Sequence, residues 1–379
     1  MAQNKRFVIL IFSFFCFIVA SAQQIKIGNY IFPDGGEYQG EMLKGKPFGT
    51  GVTTYPNGDT YSGEYVKGKR QGHGIYNFPD GEKYDGEWYQ DQQHGQGTYY
   101  FSNNNKYVGL WFRDFQQGEG TMYYYNGDQY IGSWVQDKRE GDGIYTFSNG
   151  AFYKGQWKND QKCGTGFFDW KNGNTYDGQW SENKKNGKGT FKYASGDSYT
   201  GEWLNDQQHG KGIYSFCDGD TYEGEYEKGE RTGEGIFKFA NGDKYVGHFH
   251  CGVQEGQGTF TWSSGAVYTG SWKQNKQNGS GKYTWANGDV YEGQWKDGVM
   301  EGEGIIRQAD GAKFKGNFHN GMKEGPGVLE DVDGVRYEGT FHEDKKDGEF
   351  IEKDKNGETV RKVTYVNGIV STPSPSESK

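Results

Sequence analysis

The sequence predicts an all-β chain: an elongated, twisted, single-layer antiparallel β-meander with one hairpin per repeat. Three observations predict it. Glycine supplies 64 of the 379 residues while 17% are aromatic, a combination that disordered chains lack. A tyrosine recurs every 23 residues without insertion or deletion, from Tyr38, Tyr61 and Tyr84 to Tyr337, with Phe314 the one substitute. Short stretches beside these tyrosines alternate with period two, the pattern of a strand. Leu, Ile and Val are scarce, so one large aliphatic core is not expected.

The N-terminus differs in kind from the rest. Lys5 and Arg6 precede an apolar run from Phe7 to Ala20, and Ala20-Ser21-Ala22 follows as a small-x-small site. That order predicts a cleaved signal peptide over residues 1–22 and a secreted, periplasmic or cell-envelope location. An uncleaved membrane anchor is the alternative, although a spanning helix needs about 20 apolar residues. Residues 23–37 then place Gly28, Tyr30, Phe32 and Gly35 at the spacings of a half-repeat cap.

Counting each repeat from its tyrosine, position 3 is Gly in all fourteen copies, from Gly40 to Gly339. Position 5 is aromatic in thirteen, with Met42 the exception, and position 12 is always Gly. Position 14 is Gly except in the last copy, where Phe350 stands. Positions 1–5 predict one strand and positions 14–18 another, for example Gly74, Ile75, Tyr76, Asn77 and Phe78. Asn57-Gly58, Asn126-Gly127 and Asn287-Gly288 between repeats predict two-residue type I′ turns. Positions 6–11 predict a longer polar connection. Pro33, Pro56 and Pro79 stand just before Asn/Asp-Gly and avoid both strands, as proline should.

Positions 1, 3 and 5 fall on one sheet face together with 14, 16 and 18. Rings are therefore expected to cover the hollows that glycines leave, with the ringed face inside a curve. About 28 strands at roughly 4.8 Å give a length of about 130 Å. Residues 360–370 predict a closing strand with Arg361 and Lys362 guarding its edge, and 371–379 a disordered tail. Ring filling fades toward the C-terminus, where position 16 becomes Ile306, Leu329 and Glu352.

Y-x-G-x-W, a spacer, G-x-G and a closing N-G-D together resemble the MORN repeat, the membrane occupation and recognition nexus. The resemblance covers residues 38–359 as fourteen tandem copies. It implies an elongated single-layer antiparallel sheet that acts as a scaffold or tether, and it also implies peripheral phospholipid association as the alternative.

Chemistry is sparse. The formal net charge is −9 and grows more negative once Lys5 and Arg6 are removed, which argues against nucleic acid as a partner. Cys163, Cys217 and Cys251 are too far apart in a meander to bridge one another. His248, His250 and Cys251 lack a fourth ligand for structural zinc. No catalytic or phosphate-binding motif occurs, so no enzyme activity, cofactor or metal is expected. A protein partner, extended or helical, is expected in a groove lined by Tyr84, Trp88, Tyr107, Trp111, Tyr130, Trp134, Tyr153, Trp157, Tyr176, Trp180, Tyr199 and Trp203. Lys44, Lys46, Lys67, Lys69 and Arg70 cluster without an acid in the first two repeats. They read as a solvated loop edge or as a small site for anionic headgroups, a weak lipid contact. Glycan binding by exposed Trp and Tyr is a third reading. A homodimer joined near residues 300–370 is also expected, because the thinner ring filling leaves room there for a second chain.

Overall fold

A computed structural model describes residues 24–371. The expected signal peptide and the expected disordered tail beyond residue 371 lie outside the described residues. Those described contain thirty-two strands and no helix. They form an open antiparallel meander in two compact units, one ending at Arg139 and the other beginning at Glu140.

The first unit opens with β1 (Lys26–Ile31), β2 (Glu37–Leu43), β3 (Lys46–Thr54), β4 (Thr60–Val66) and β5 (Lys69–Asn77). Each strand pairs with the one before and the one after it in sequence. The same hairpin recurs to Gln129–Val135. In the second unit it recurs from Lys138–Thr146 onward. Four strands exceed the expected number. They are β1, the extra piece of a split strand in the last repeat, and the terminal hairpin of Thr359–Val366 and Ile369–Val370.

The two connections exchange the roles expected of them. The tight turn lies at positions 7 and 8, where both residues have positive φ: Lys67 at 54° and Gly68 at 83°, or Gln90 at 51° and Asp91 at 72°. These are the two-residue turns that suit a hairpin's twist. The second strand therefore begins at position 9, not 14. The Asn-Gly connection is instead a type I turn closed by glycine. Gly58 N–H donates to the Tyr55 carbonyl at 3.0 Å, Tyr55 N–H donates to the Asp59 carbonyl at 2.9 Å, and only Gly58 has positive φ. Proline favours the second place of such a turn and glycine the fourth, which is where Pro56 and Gly58 stand.

A bulge sits inside twelve of the repeat hairpins. Gly86 pairs with Gly97, yet the next residue, Glu87, pairs with His94. Positions 12 and 13, Gly95 and Gln96, are thus looped out, and Gly95 has φ 61°. That backbone explains the glycine at position 12. The bulge also frees the N–H at position 13, and the side chain at position 4 takes it. Thr50 N–H donates to Glu41 at 2.7 Å and Lys188 N–H donates to Gln179 at 2.7 Å. Two outer-face acids, Glu41 and Glu64, are therefore bulge acceptors.

The core is a file of rings. Each position-1 tyrosine lies across the facing glycines at positions 3 and 14. A Cβ on Gly74 would come within 2.2 Å of the Tyr61 hydroxyl. That hydroxyl donates to the Glu64 carbonyl at 3.1 Å. The position-5 ring then stands edge-on between two tyrosines: Trp88 lies 5.2 Å from Tyr84 and 5.3 Å from Tyr61, near 90° to both. The last repeat inverts the scheme. Phe350, at position 14, is fully buried and reaches across to cover Gly339. Tyr337 is displaced to a half-buried place.

Candidate partner-binding faces

Every ring expected to receive a partner is core. Tyr84, Tyr107, Tyr130, Tyr176 and Tyr199 have no exposed surface and Tyr153 has 1%. Trp88, Trp111, Trp134, Trp157, Trp180 and Trp203 keep 3–6%. Most of these indoles also spend their N–H on backbone, as Trp180 does on the Gly166 carbonyl at 3.0 Å. The glycines sink the rings so deeply that they form the floor of the face rather than its contact surface. Burial raises the hydroxyl pKa throughout the file, to about 12 for Tyr38, Tyr222 and Tyr291.

What this face shows to solvent comes from the other strand and its turn. Position-16 and position-18 rings form a second, partly open file. In the second unit it runs from Tyr145 to Trp285, with successive centroids 4.2–5.8 Å apart. Trp170, Tyr193, Phe216, Phe239, Trp262 and Trp285 are half-buried.

Position 10, inside the presumed loop, adds cations to the same face. Arg70 lies 4.2 Å over Trp88, Lys162 4.4 Å over Trp180 and Lys185 4.2 Å over Trp203. Burial pulls the Lys162 pKa down to about 8, against the opposing pull of Asp206. Sequence reasoning missed this row because it assigned position 10 to a solvated connection. The cue was its odd chemistry: long Arg, Lys or Gln side chains at one fixed spacing.

The basic cluster is divided by this geometry. Arg70 folds onto the rings and donates to the Asp91 carbonyl at 2.7 Å. The Asp91 carboxylate lies 3.7 Å from Arg70 and 3.8 Å from Lys69. An acid from the next repeat therefore faces the cluster, which had been expected to lack one. Lys44, Lys46 and Lys67 remain exposed at the turns.

The second unit also has a groove on the opposite face. It encloses about 930 Å³. Thr190, Thr200, Ile213, Glu223, Ile236 and Val246 line one side, and Lys188, Glu202, Lys211, Glu225 and Glu234 the other, over a floor of paired glycines such as Gly201 and Gly212. The ringed face had been expected to hold the concavity. A separate hollow of about 180 Å³ lies on the ringed face among Trp285, Ile306, Phe314 and Leu329, where aliphatic residues replace rings.

Cys163, Cys217 and Cys251 are free thiols. His248 pairs with Glu234 at 3.1 Å. The described residues hold no cluster of three or more His, Cys, Asp or Glu able to bind a metal.

Fold and faces define a β-repeat scaffold, in which identical hairpins carry variable side chains on two broad surfaces. The chain belongs to the MORN repeat family: the family model matches fourteen consecutive segments from 38–60 to 337–349. The last match stops just before Phe350, where the inverted packing begins. No curated protein matches the chain. Among solved structures it is similar to the TCP domain of Drosophila melanogaster SAS-4 in complex with a proline-rich motif of Ana2. Identity there is 16%, over 41% of this chain and 85% of that one, with a TM-score of 0.27. It is also similar to the TCP10 domain of Danio rerio CPAP in complex with a STIL peptide, at 12% identity over 72% of this chain and 94% of that one, with a TM-score of 0.25. Likenesses at this level carry no argument about function.

Proposed function

We propose that this protein is a non-catalytic scaffold or tether that holds a segment of a protein partner. The observation that carries the reading is the glycine-floored groove of about 930 Å³. One wall is apolar and hydroxylic apart from Glu223, and the other is charged, which suits an amphipathic segment, extended or helical. Glu202, Glu223, Glu225 and Glu234 outnumber Lys188 and Lys211 along it, so the segment should be cationic. The test substitutes outward-facing side chains that the ring core does not use. Ile213→Arg with Ile236→Arg should leave the melting curve unchanged. It should weaken binding of a peptide from the captured partner by about tenfold or more. Unchanged affinity in the double variant would sink the groove as the docking face.

The leader supports export of the protein to the cell envelope or beyond. N-terminal sequencing of the mature protein would check cleavage after Ala22. Lipid contact is a second reading, favoured only by the exposure of Lys44, Lys46 and Lys67. Binding to anionic vesicles should then fall with salt and vanish when the three become Ser.

A further inference from the structure

β1 is half of a hairpin. It carries Gly28 and Tyr30 at positions 14 and 16, and it pairs with β2 on one side only among the described residues. In the other repeats the position-14 glycine lies under the tyrosine of its own first strand, as Gly51 lies under Tyr38. Gly28 has no such cover; the atom nearest to a Cβ there would be in the Met42 side chain, at 3.2 Å. The other face of β1 is apolar and open: Ile27 is 75% exposed and Ile31 71%. A bare strand edge of this kind invites another strand.

Continued backward, the 23-residue spacing reaches Phe15 to Val19 and puts Phe17 where every first strand has glycine. The opposite end of the array is defended. Lys362 pairs with Glu349 at 2.9 Å and Arg361 with Glu352 at 2.5 Å. Ile369–Val370 also folds back on Thr359–Val366.

We propose that β1 pairs antiparallel with β1 of a second copy of this chain, about a two-fold axis at Asn29. This register is self-complementary. It sets the Tyr30 ring of each copy opposite Gly28 of the other, so a ring covers each bare glycine across the new pair, whereas inside the sheet glycine faces glycine and the covering ring stands two residues along. On the other face it sets Ile27 of each copy opposite Ile31 of the other. A two-fold contact closes on itself and stops at two copies. This proposal puts the contact at the N-terminal edge, a different place from the interface near residues 300–370 expected from the sequence.

Sedimentation of the purified protein at high micromolar concentration should give one species of twice the chain mass. Ile27→Lys with Ile31→Lys should give a monomer with an unchanged circular dichroism spectrum, since both side chains point to solvent. Ile27→Glu with Ile31→Lys should restore the dimer, because each Glu then faces the other copy's Lys. Asn29→Cys should yield a disulfide-linked dimer on mild oxidation, since directly opposed strand residues lie within bridging distance. The native protein, treated identically, should not. A monomeric native protein overturns the proposal. So does a dimer that survives the two lysines, or one abolished by Val360→Lys at the other edge. Failure of the Glu/Lys pair to restore association overturns the register.

Discussion

Glycine at position 3 is the residue on which the ring file depends. A Cβ on Gly178 would come within 2.4 Å of the Gly189 Cα, 2.6 Å of the Tyr176 hydroxyl and 2.7 Å of the Lys188 carbonyl. Two of those neighbours are backbone and cannot rotate away. Gly178→Val should therefore cost about 3 kcal/mol, the upper part of the range for overpacking. Thermal or denaturant melts would measure it, and an unchanged midpoint would contradict the packing described. The tyrosines make a second prediction. Burial raises the Tyr38, Tyr222 and Tyr291 hydroxyls from 10 to about 12. Below pH 10 both folded and unfolded chains keep these protons, and the stabilisation is complete. Above pH 10 the unfolded chain ionises first, so stability falls as pH rises through 12. The melting temperature should hold to about pH 10 and then drop steeply, with tyrosinate absorbance appearing together with loss of structure.

At the scale of the element, the hairpin owes its shape to the bulge. Gly187 has φ 95°, and Gln179 accepts the N–H of Lys188 beside it. Gly187→Ala should cost more than about 1 kcal/mol, because alanine strains at positive φ. Gln179→Ala should cost about 1 kcal/mol, because it leaves that N–H without its acceptor. The two changes share one bulge, so their costs should not add; a double-mutant cycle on melting free energies would show the coupling. The edges are stapled in a similar way. The Asp206 carboxylate accepts the Lys185 N–H at 2.8 Å, and the Asp220 carboxylate accepts the Ala240 N–H at 2.8 Å. Each such bond runs between neighbouring repeats, so acids at the tight-turn edge and at the Asn-Gly-Asp edge both tie one repeat to the next.

At the scale of the whole molecule, pairing between strands that are consecutive in sequence makes each repeat an independent increment. Removing residues 268–290 joins Val267 to Tyr291, the same Val-Tyr junction that Val290 makes now. Every neighbour contact is then rebuilt. The shortened chain loses Trp272 and Trp285 but should keep its tryptophan emission maximum, and its melting temperature within a few degrees. Removing residues 268–279 instead joins a second strand to a second strand and strands Gly281 without the Tyr268 ring that covers it. That variant should lose cooperative melting. Equal melts for the two deletions would contradict the repeat-by-repeat account.

Much of this was legible in the sequence, because a fixed period of tyrosine and glycine repeats one local geometry fourteen times. The strand alternation, the shared face of positions 1, 3, 5, 14 and 16, and the family all follow from that period. Other features were legible only in the structure. Lys67-Gly68 and Asn57-Gly58 are both reasonable turns by composition, and only the register of β4 on β5 decides which is the tight one. The burial of Trp88 and the descent of Arg70 onto it depend on the next repeat, which a single copy cannot show. The same is true of Asp91 beside Lys69. The groove opposite the rings is lined by side chains from several consecutive strands, which no single repeat shows. The period by itself determined what each strand is; the stacking of strand on strand decided which side chains are left for a partner, because burial belongs to neighbours and not to a residue alone.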